Sequence, residues 1–459
     1  MSAPRWITLD EWDVHYIELL VDGMSEPSYG GPLRRHAEEG GDLRLRHLMY
    51  DNSAASLRLW NFLLTEEDRL HKARADGNKI VGVMKDLGTI PVMAYSIPGV
   101  TAFYPDGAWW IPCVMEQSDG LLKIADSLGI DESFCPVRAV LGAFLTEAHF
   151  PIPDLITCSV GATCDDLSAI AQRLNGLGYP IFWWEIPSRR TPDPDEKFII
   201  LLGGFSAPVI QVQFVRGEMQ RIRDALESLT GKPITDEMLH QGIKKANAVR
   251  AKLDELRHLV YTSDICVLPA LEMQIAEMLA IHFCSDIDET LAVYDDLILE
   301  VKTRLAARQG ILPNDAVRVF WVNPVADLRV MNILEQCGGR VCGSEYLFSH
   351  ALDQIPEEID PLEALASMAL ADPMIGGAAD RASRICRDIG EFKAEAVIIS
   401  RIPGASHCAV EGSIIKEMVS SRCGIPVVEI EVPPVTDSML PSIITRIEAL
   451  IERGREHRR

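Results

Sequence analysis

The chain has 459 residues, which is too many for one hydrophobic core, so two or three domains are expected. Its composition, 47% hydrophobic and 24% charged, is typical of a globular protein. The formal net charge of −23 excludes nucleic acid and anionic membrane as main partners, because their phosphates carry the same sign of charge. No apolar run reaches the roughly 18 residues that a membrane span needs. The first six residues lack the pattern of a secretory signal, which predicts a cytoplasmic location.

Residues 1–76 form the first predicted unit, which is helical and amphipathic. From residue 77 short apolar runs alternate with helical stretches, a pattern that is typical of a mainly parallel sheet covered by helices. A first α/β lobe is therefore predicted over residues 77–208. Its apolar runs, the candidates for strands, are residues 80–84, 90–93, 155–157 and 181–184.

Residues 209–315 are predicted to be a mainly helical connector. One long helix is expected over residues 208–229 and another from Thr235, a plausible N-cap, to residue 260. A second α/β lobe is predicted over residues 316–459. Its expected strands are residues 316–322, 396–400 and 425–430, and its last helix covers residues 442–453 ahead of a frayed basic tail. The predicted fold is thus α/β, with a helical N-terminal region and two Rossmann-like lobes.

Three of the eleven cysteines stand out by their surroundings. Cys135, Cys164 and Cys408 lie in loops with polar neighbours and with Gly or Pro nearby. Cys164 and Cys408 each follow a strand candidate, one in each lobe, and ligand crevices of parallel sheets lie at the carboxyl ends of strands. In a reducing cytosol such thiols serve as metal ligands, act in catalysis or are buried, and spacing alone does not decide between these alternatives.

Most of the other cysteines are expected to be buried, because a free thiol behaves as a small hydrophobe. Cys337 and Cys342 flank a Gly-Gly pair, so they form either a second ligand pair or a turn between a helix and a strand. Cys158, close in sequence to Cys164, is either a core residue or part of a pocket lining.

Several motifs around the three cysteines occur in a characteristic order. They are Cys-Pro-Val-Arg-Ala-Val-Leu-Gly at 135–142, Thr-Cys-Asp at 163–165 before a helix, Leu-Thr-Gly-Lys-Pro-Ile-Thr-Asp at 229–236, Cys408 before a helix, Gly-Ile-Pro-Val-Val-Glu-Ile at 424–430 and Thr-Arg-Ile-Glu-Ala-Leu-Ile-Glu at 445–452. With these motifs the chain resembles the 2-hydroxyacyl-CoA dehydratase and benzoyl-CoA reductase family from about residue 77 to 452.

The resemblance implies that Cys135, Cys164 and Cys408 hold one [4Fe-4S] cluster and leave one iron without a protein ligand. It implies a related second subunit, in a heterodimer or a homodimer, and a separate activator protein that hydrolyses ATP and injects one electron at very low potential. The implied reaction is dehydration of an acyl-CoA thioester, in which the added electron forms a ketyl radical anion that expels the α-hydroxyl.

Other functions remain open at this stage. The electron could instead reduce an aromatic ring, as in benzoyl-CoA reductase, or the chain could relay electrons without contacting substrate. A homodimeric reductase with a double-cubane cluster would recruit further cysteines, and a cluster-free α/β protein would simply bury them. Neither a Gly-x-x-x-x-Gly-Lys-Ser/Thr loop nor a dinucleotide fingerprint occurs, so the chain itself is not expected to bind ATP.

A few other residues are candidates for the site. His407 is expected either to hydrogen-bond a cluster sulfur or relay a proton, or to be a loop histidine in solvent. Arg138 either offsets cluster charge or pairs with an acid, while Arg189 and Arg190 form either an exposed loop pair or a site for coenzyme A phosphates. Relatives usually carry a Pro followed by a Glu near the first strand, where this sequence continues Lys85-Asp86-Leu87-Gly88, so the acyl group is left open.

Overall fold

The computed structural model describes most of the chain. The described residues are 3–25, 30–40, 44–107, 118–281, 285–323, 325, 327–345, 351–433 and 435–458, with the backbone alone for 38–40, 44, 118–119 and 406–409. Within these ranges no helix combines the length and the apolar character needed to cross a membrane.

The N-terminal region packs short helices around buried aromatic rings. Its elements are β1 (Trp6–Ile7), α1 (Trp12–Val21), α2 (Arg34–Gly40), β2 (Tyr50–Asp51), α3 (Ala54–Leu64) and α4 (Glu66–Ala75). β1 and β2 form a small antiparallel pair. The Tyr50 ring lies edge-on to those of Trp12 and Trp60, and all three side chains are fully buried. The predicted helices of this region are present, with one short strand pair added.

The first lobe is built on a four-stranded parallel sheet in the order β4-β3-β5-β6. Its elements are β3 (Lys79–Met84), α5 (Thr89–Ala94), β4 (Val100–Phe103), α6 (Ser118–Ser127), α7 (Ala139–Thr146), β5 (Leu155–Gly161), α8 (Asp165–Gly176) and β6 (Ile181–Ile186). A 3-10 helix, Pro136–Arg138, leads into α7. Residues 80–84 are all buried, as expected for a parallel strand covered on both faces.

One predicted strand in this lobe is wrong. Residues 90–93 belong to α5, and the second strand of the sheet is β4 instead. The Asp86 carboxylate accepts hydrogen bonds from the backbone N–H groups of Thr89 (2.7 Å) and Ile90 (3.3 Å). These bonds satisfy the free donors at the start of the helix, and Pro91 is tolerated in a first helical turn.

A short antiparallel hairpin, β7 (Phe198–Ile200) and β8 (Ser206–Pro208), precedes the connector. The connector itself consists of the helices α9 (Val209–Thr230), α10 (Asp236–Thr262), α11 (Ala270–Leu279) and α12 (Ile287–Ala307). The Thr235 side chain accepts a hydrogen bond from the Met238 N–H (3.2 Å), which confirms its predicted role as the N-cap of α10. Both predicted long helices are confirmed to within two residues.

The second lobe contains another four-stranded parallel sheet, in the order β10-β9-β11-β12. Its elements are β9 (Val317–Val322), α13 (Arg329–Gln336), β10 (Gly339–Glu345), α14 (Pro361–Ala371), α15 (Ala378–Glu391), β11 (Ala396–Arg401), α16 (Ser406–Cys423), β12 (Val427–Glu431) and α17 (Leu440–Arg458). In both lobes the first strand lies between the second and the third, the order that defines a switch point in doubly wound sheets.

The expected frayed tail after residue 453 is also wrong, because α17 continues to Arg458. The Arg458 guanidinium pairs with the Glu395 carboxylate and donates to the carbonyl oxygens of Asp315 (3.1 Å) and Ala316 (3.2 Å). These contacts attach the last turn to the amino-terminal edge of the second sheet.

The connector docks on the first lobe through a glycine. A Cβ atom at Gly242, in the second turn of α10, would lie 2.2 Å from the Val92 carbonyl oxygen of α5. Such a distance is impossible for a real methyl group, so the close approach of α10 to α5 requires glycine at this position.

Replacing Gly242 by alanine should therefore lower the free energy of unfolding by about 1–3 kcal/mol or more, because α10 must move away from α5. The matched control is Gly217→Ala in α9, where nothing lies within 4 Å of the added methyl group. This control should raise stability by about 0.5–1 kcal/mol through helix propensity. Urea unfolding followed by circular dichroism measures both effects, and equal midpoints for the two variants would contradict the packing assigned to Gly242.

Candidate functional site

Each of the three selected cysteines lies at the amino-terminal end of a helix. Cys135 is the N-cap of the 3-10 helix that leads into α7, and Cys164 is the N-cap of α8. Cys408 is in the first turn of α16, where its backbone is described but its side chain is not. Unpaired N–H groups and the helix dipole favour negative charge at such positions, so they suit a thiolate.

The structure brings the three cysteine segments together from both lobes. Helix α8 contacts the 3-10 helix of Cys135 on one side and α16 on the other. A Cβ at Gly404, just before α16, would lie 2.7 Å from the Phe134 carbonyl carbon and 3.1 Å from the Cys135 nitrogen. The backbone that precedes Cys408 thus touches the backbone that carries Cys135, although the two belong to different sheets.

The carboxyl ends of the two sheets are built alike around this meeting point. Lys85, the residue after β3, and Asn323, the residue after β9, both have a positive φ, 55° and 69°. The Ser159 hydroxyl on β5 donates to the Lys85 carbonyl oxygen (2.5 Å), and the Ser400 hydroxyl on β11 donates to that of Asn323 (3.1 Å). The two lobes are therefore structural counterparts, which no repeat in the sequence had indicated.

Lys85 places a buried ammonium group beside the helix of Cys164. Its residue is 6% exposed, and its Nζ donates to the Ser168 hydroxyl of α8 at 2.9 Å. No carboxylate of the described residues forms an ion pair with it. Burial lowers the pKa of Lys85, while the neighbouring Cys158, Cys164 and Asp165 act in the opposite direction.

The thiols nearest to Lys85 are protonated at neutral pH in the metal-free protein. Burial raises the pKa of Cys158 to about 12 and that of Cys164 to about 11, where Asp166 adds to the effect. Cys158 is fully buried, so it belongs to the core rather than to an open pocket lining. Binding of a metal at Cys164 would displace the thiol proton.

A comparison with known protein families decides what kind of protein carries this site. The model of the family described as 2-hydroxyglutaryl-CoA dehydratase, D-component, matches residues 97–453, a range that includes all three cysteine segments. The chain belongs to this D-component family. As a D-component it is part of a dehydratase-type enzyme, and the designation implies a partner component. No curated protein matches the chain. The family predicted from the cysteine motifs is confirmed.

The D-component chain holds its Cys135 loop by an ion pair. Arg138 is buried, its Nε lies 3.4 Å from the Asp126 carboxylate, and it donates to the Phe134 carbonyl oxygen at 3.2 Å. Of the two roles expected for Arg138, pairing with an acid is the one observed. The loop is thereby anchored to α6.

Arg189 and Arg190 have different roles. Arg189 is buried and donates to the carbonyl oxygens of Leu370 and Asp372 and to the Asp380 carboxylate (2.7 Å). The expectation of an exposed loop pair is therefore wrong for Arg189, because it anchors the end of α14 and the start of α15. Arg190 is exposed and pairs with Glu196 at 2.6 Å, as a loop residue would. Neither arginine lies free for a phosphate group.

Sequence reasoning missed the residue that holds α16. Arg381 is fully buried and donates to Glu345 (2.7 Å), to Glu411 (2.8 Å) and to the Asn323 side chain (2.7 Å). Glu411 lies three residues after Cys408, in the second turn of α16, so this network connects the start of that helix to the ends of β9 and β10. The sequence signal for the burial of Arg381 was helical periodicity, because Arg381 lies four residues before the buried Ile385 on the same helix.

The Gly-Gly pair between Cys337 and Cys342 forms a turn from a helix to a strand, which was one of the two alternatives predicted for it. Cys337 ends α13, and Cys342 is buried in β10.

Among the described side chains, no group of three or more His, Cys, Asp or Glu residues could hold a metal ion. Cys135 and Cys164 are among these side chains, whereas those of Cys408 and His407 are not described. The described donors, Cys135 and Cys164, nevertheless suit an anionic thiolate cluster, because both lie at helix N-termini and the Lys85 ammonium group lies beside the helix of Cys164.

The contact between the lobes can be tested at Gly404. Alanine there should destabilise the protein by strain at its positive φ of 81° and by the clash with Phe134 and Cys135. Gly424→Ala, at the other end of α16, has a similar φ of 67° with nothing within 4 Å. Thermal unfolding should show a loss of about 1–2 kcal/mol for Gly424→Ala and a clearly larger loss for Gly404→Ala. Equal losses would mean that the two lobes do not touch at this point.

The buried Asp86 carboxyl group, at the carboxyl end of β3, should make the stability of the protein depend on pH. Burial raises the pKa of Asp86 from 3.8 to about 6, although hydrogen bonds from Thr89, Ile90 and Gly88 oppose the change. The unfolded chain ionises first, so the wild type loses stability as pH rises from about 4 to about 6. Asp86→Asn lacks this loss, so its stability relative to the wild type should increase by roughly 2 kcal/mol between pH 4 and pH 7. Parallel urea-stability profiles of the two proteins would refute the raised pKa.

Proposed function

We propose that the chain is the iron–sulfur subunit of an ATP-activated 2-hydroxyacyl-CoA dehydratase, in which Cys135, Cys164 and Cys408 hold one [4Fe-4S] cluster. The observation that carries the proposal is the meeting of three cysteine-bearing helix starts, from two lobes, within the range matched by the family. Three thiolates from separate segments leave one iron of such a cluster without a protein ligand.

When bound, such a cluster supplies an electron to the thioester carbonyl of the substrate, so that the α-hydroxyl leaves from a ketyl radical anion and the β-proton becomes acidic. The residues of this chain contribute position and charge. Cys135 and Cys164 lie at helix N-termini, where unpaired N–H groups and the helix dipole favour a thiolate. Arg138 holds the Cys135 loop, and Arg381 holds the helix of Cys408. His407 is proposed to hydrogen-bond a cluster sulfur or to relay a proton.

The partners are part of the same proposal. A related second subunit is proposed as the partner component, in a heterodimer or a homodimer, with an acyl-CoA as substrate. A separate ATP-hydrolysing activator is proposed to provide the electron, which agrees with the lack of a phosphate-binding Gly-x-x-x-x-Gly-Lys-Ser/Thr motif in this sequence. A cytoplasmic location completes the proposal, because a reducing compartment keeps thiols available for iron.

The proposal is tested by anaerobic purification, iron and sulfide analysis, and visible and EPR spectra. The wild type should contain about four iron per chain, and Cys135→Ala, Cys164→Ala and Cys408→Ala should each lose most of it. Cys337→Ala, at the half-buried turn after α13, is the control and should keep the full iron content.

Three results would contradict the proposal in different ways. Full iron content in all three variants would exclude these cysteines as the ligand set. About eight iron per chain would indicate a double-cubane cluster, and a colourless preparation would indicate a protein without a cluster. Product analysis with acyl-CoA substrates then separates dehydration from reduction of an aromatic acyl group.

A further inference from the structure

Lys85 lies at the switch point of the first sheet, where a ligand crevice is expected. It follows β3 directly, and its side chain extends to Ser168, one helical turn after Cys164 on α8. Its carbonyl oxygen is held by Ser159 of β5 at 2.5 Å. The backbone and the ammonium group are thus both fixed, and the charge is held in place next to the helix that begins at Cys164.

The balance of charge around Lys85 differs from that at the corresponding strand ends of the second lobe. There the buried cation is Arg381, and two carboxylates, Glu345 and Glu411, neutralise it within hydrogen-bond distance. The Lys85 ammonium group donates to a neutral hydroxyl, and among the described residues the Asp165 carboxylate acts on it without forming an ion pair. A buried ammonium group without an ion-paired carboxylate is costly, so a further anionic group is expected nearby.

We infer that Lys85 is a positioning residue of the site, a fixed positive charge that raises the reduction potential of the cluster held at Cys164. This inference rests on the proposed function. Net charge and hydrogen bonding around an iron–sulfur cluster set its potential. An added electron makes the cluster one unit more negative, and an ammonium group in a low-dielectric environment stabilises that state more than the oxidised one.

The step concerned is a one-electron reduction without a proton. A low-potential donor loses one electron, the oxidised cluster gains it, and no bond forms or breaks in the protein. Lys85 takes part in the step only through its charge. Lys85 therefore acts as a fixed positive charge, and any cation at its position is expected to have the same effect on the reduction potential.

The test is a reductive titration with titanium(III) citrate, followed by EPR, on the anaerobic protein that holds its cluster. Lys85→Met removes the charge but keeps most of the side-chain volume, and Lys85→Arg keeps the charge. The matched control is Lys79→Met on the same strand, where the ammonium group is exposed and lies 3.3 Å from Asp154. Lys85→Met should make reduction about tenfold less favourable, a shift of about 59 mV for one electron. Lys85→Arg and Lys79→Met should stay within a fraction of that shift.

The outcomes separate this inference from the proposed function. An iron-free wild type overturns the proposed function. A wild type with about four iron and an unchanged potential in Lys85→Met overturns only the role of Lys85. If Lys85→Met does not retain iron, then full iron content in Lys85→Arg supports a requirement for the charge. Loss of iron in both variants shows that shape rather than charge matters, and overturns the inference.

Discussion

The contact between Gly404 and the Phe134–Cys135 backbone is the constraint on which the site depends. Within the first lobe, α8 already packs against the 3-10 helix, so Cys135 and Cys164 are placed relative to each other by one sheet. The third cysteine comes from the other sheet, and its position is set where the two backbones touch. A residue with a Cβ atom fits neither the positive φ nor the separation at Gly404.

Buried polar groups at the strand ends hold the cysteine helices in both lobes, but with different charge balance. Arg381 and its two glutamates form a closed network, which is stable in a dry interior because every charge has a partner. The Lys85 ammonium group, by contrast, donates a hydrogen bond to the Ser168 hydroxyl and forms no ion pair with a described carboxylate. The buried cation of the second lobe is thus ion-paired within the fold, whereas that of the first lobe has a hydroxyl as its hydrogen-bond partner and no ion pair among the described residues.

Much of the fold was predictable because its signals are local and repeated. The helices α9 and α10 extend over 22 and 27 residues, so their periodicity is unambiguous, and Thr235 marks a boundary by its side-chain chemistry. The short run 90–93 was misread because a four-residue apolar segment fits a strand or a helix equally well. What decided it was the hydrogen bonding of Asp86.

The candidate site was predictable in part, for the same reason. Cysteines next to strand ends are visible in a sequence, and the family motifs select three of them. The burial of Arg189 was not predictable, because the atoms that bind it lie more than 180 residues away along the chain. The role of Lys85 was hidden because a lone lysine after a strand is usually exposed, and only the positions of α8 and Ser168 show otherwise.

The placement of the third cysteine segment also sets the order in which the protein can mature. During synthesis the first lobe emerges with two of the three segments, long before α16 leaves the ribosome, and domains generally fold as they appear. A nascent first lobe therefore presents only two of the three cysteine segments. If the three cysteines hold a cluster as proposed, iron could be held by the full set only after α16 has packed onto α8, so cluster insertion would follow the synthesis of that helix.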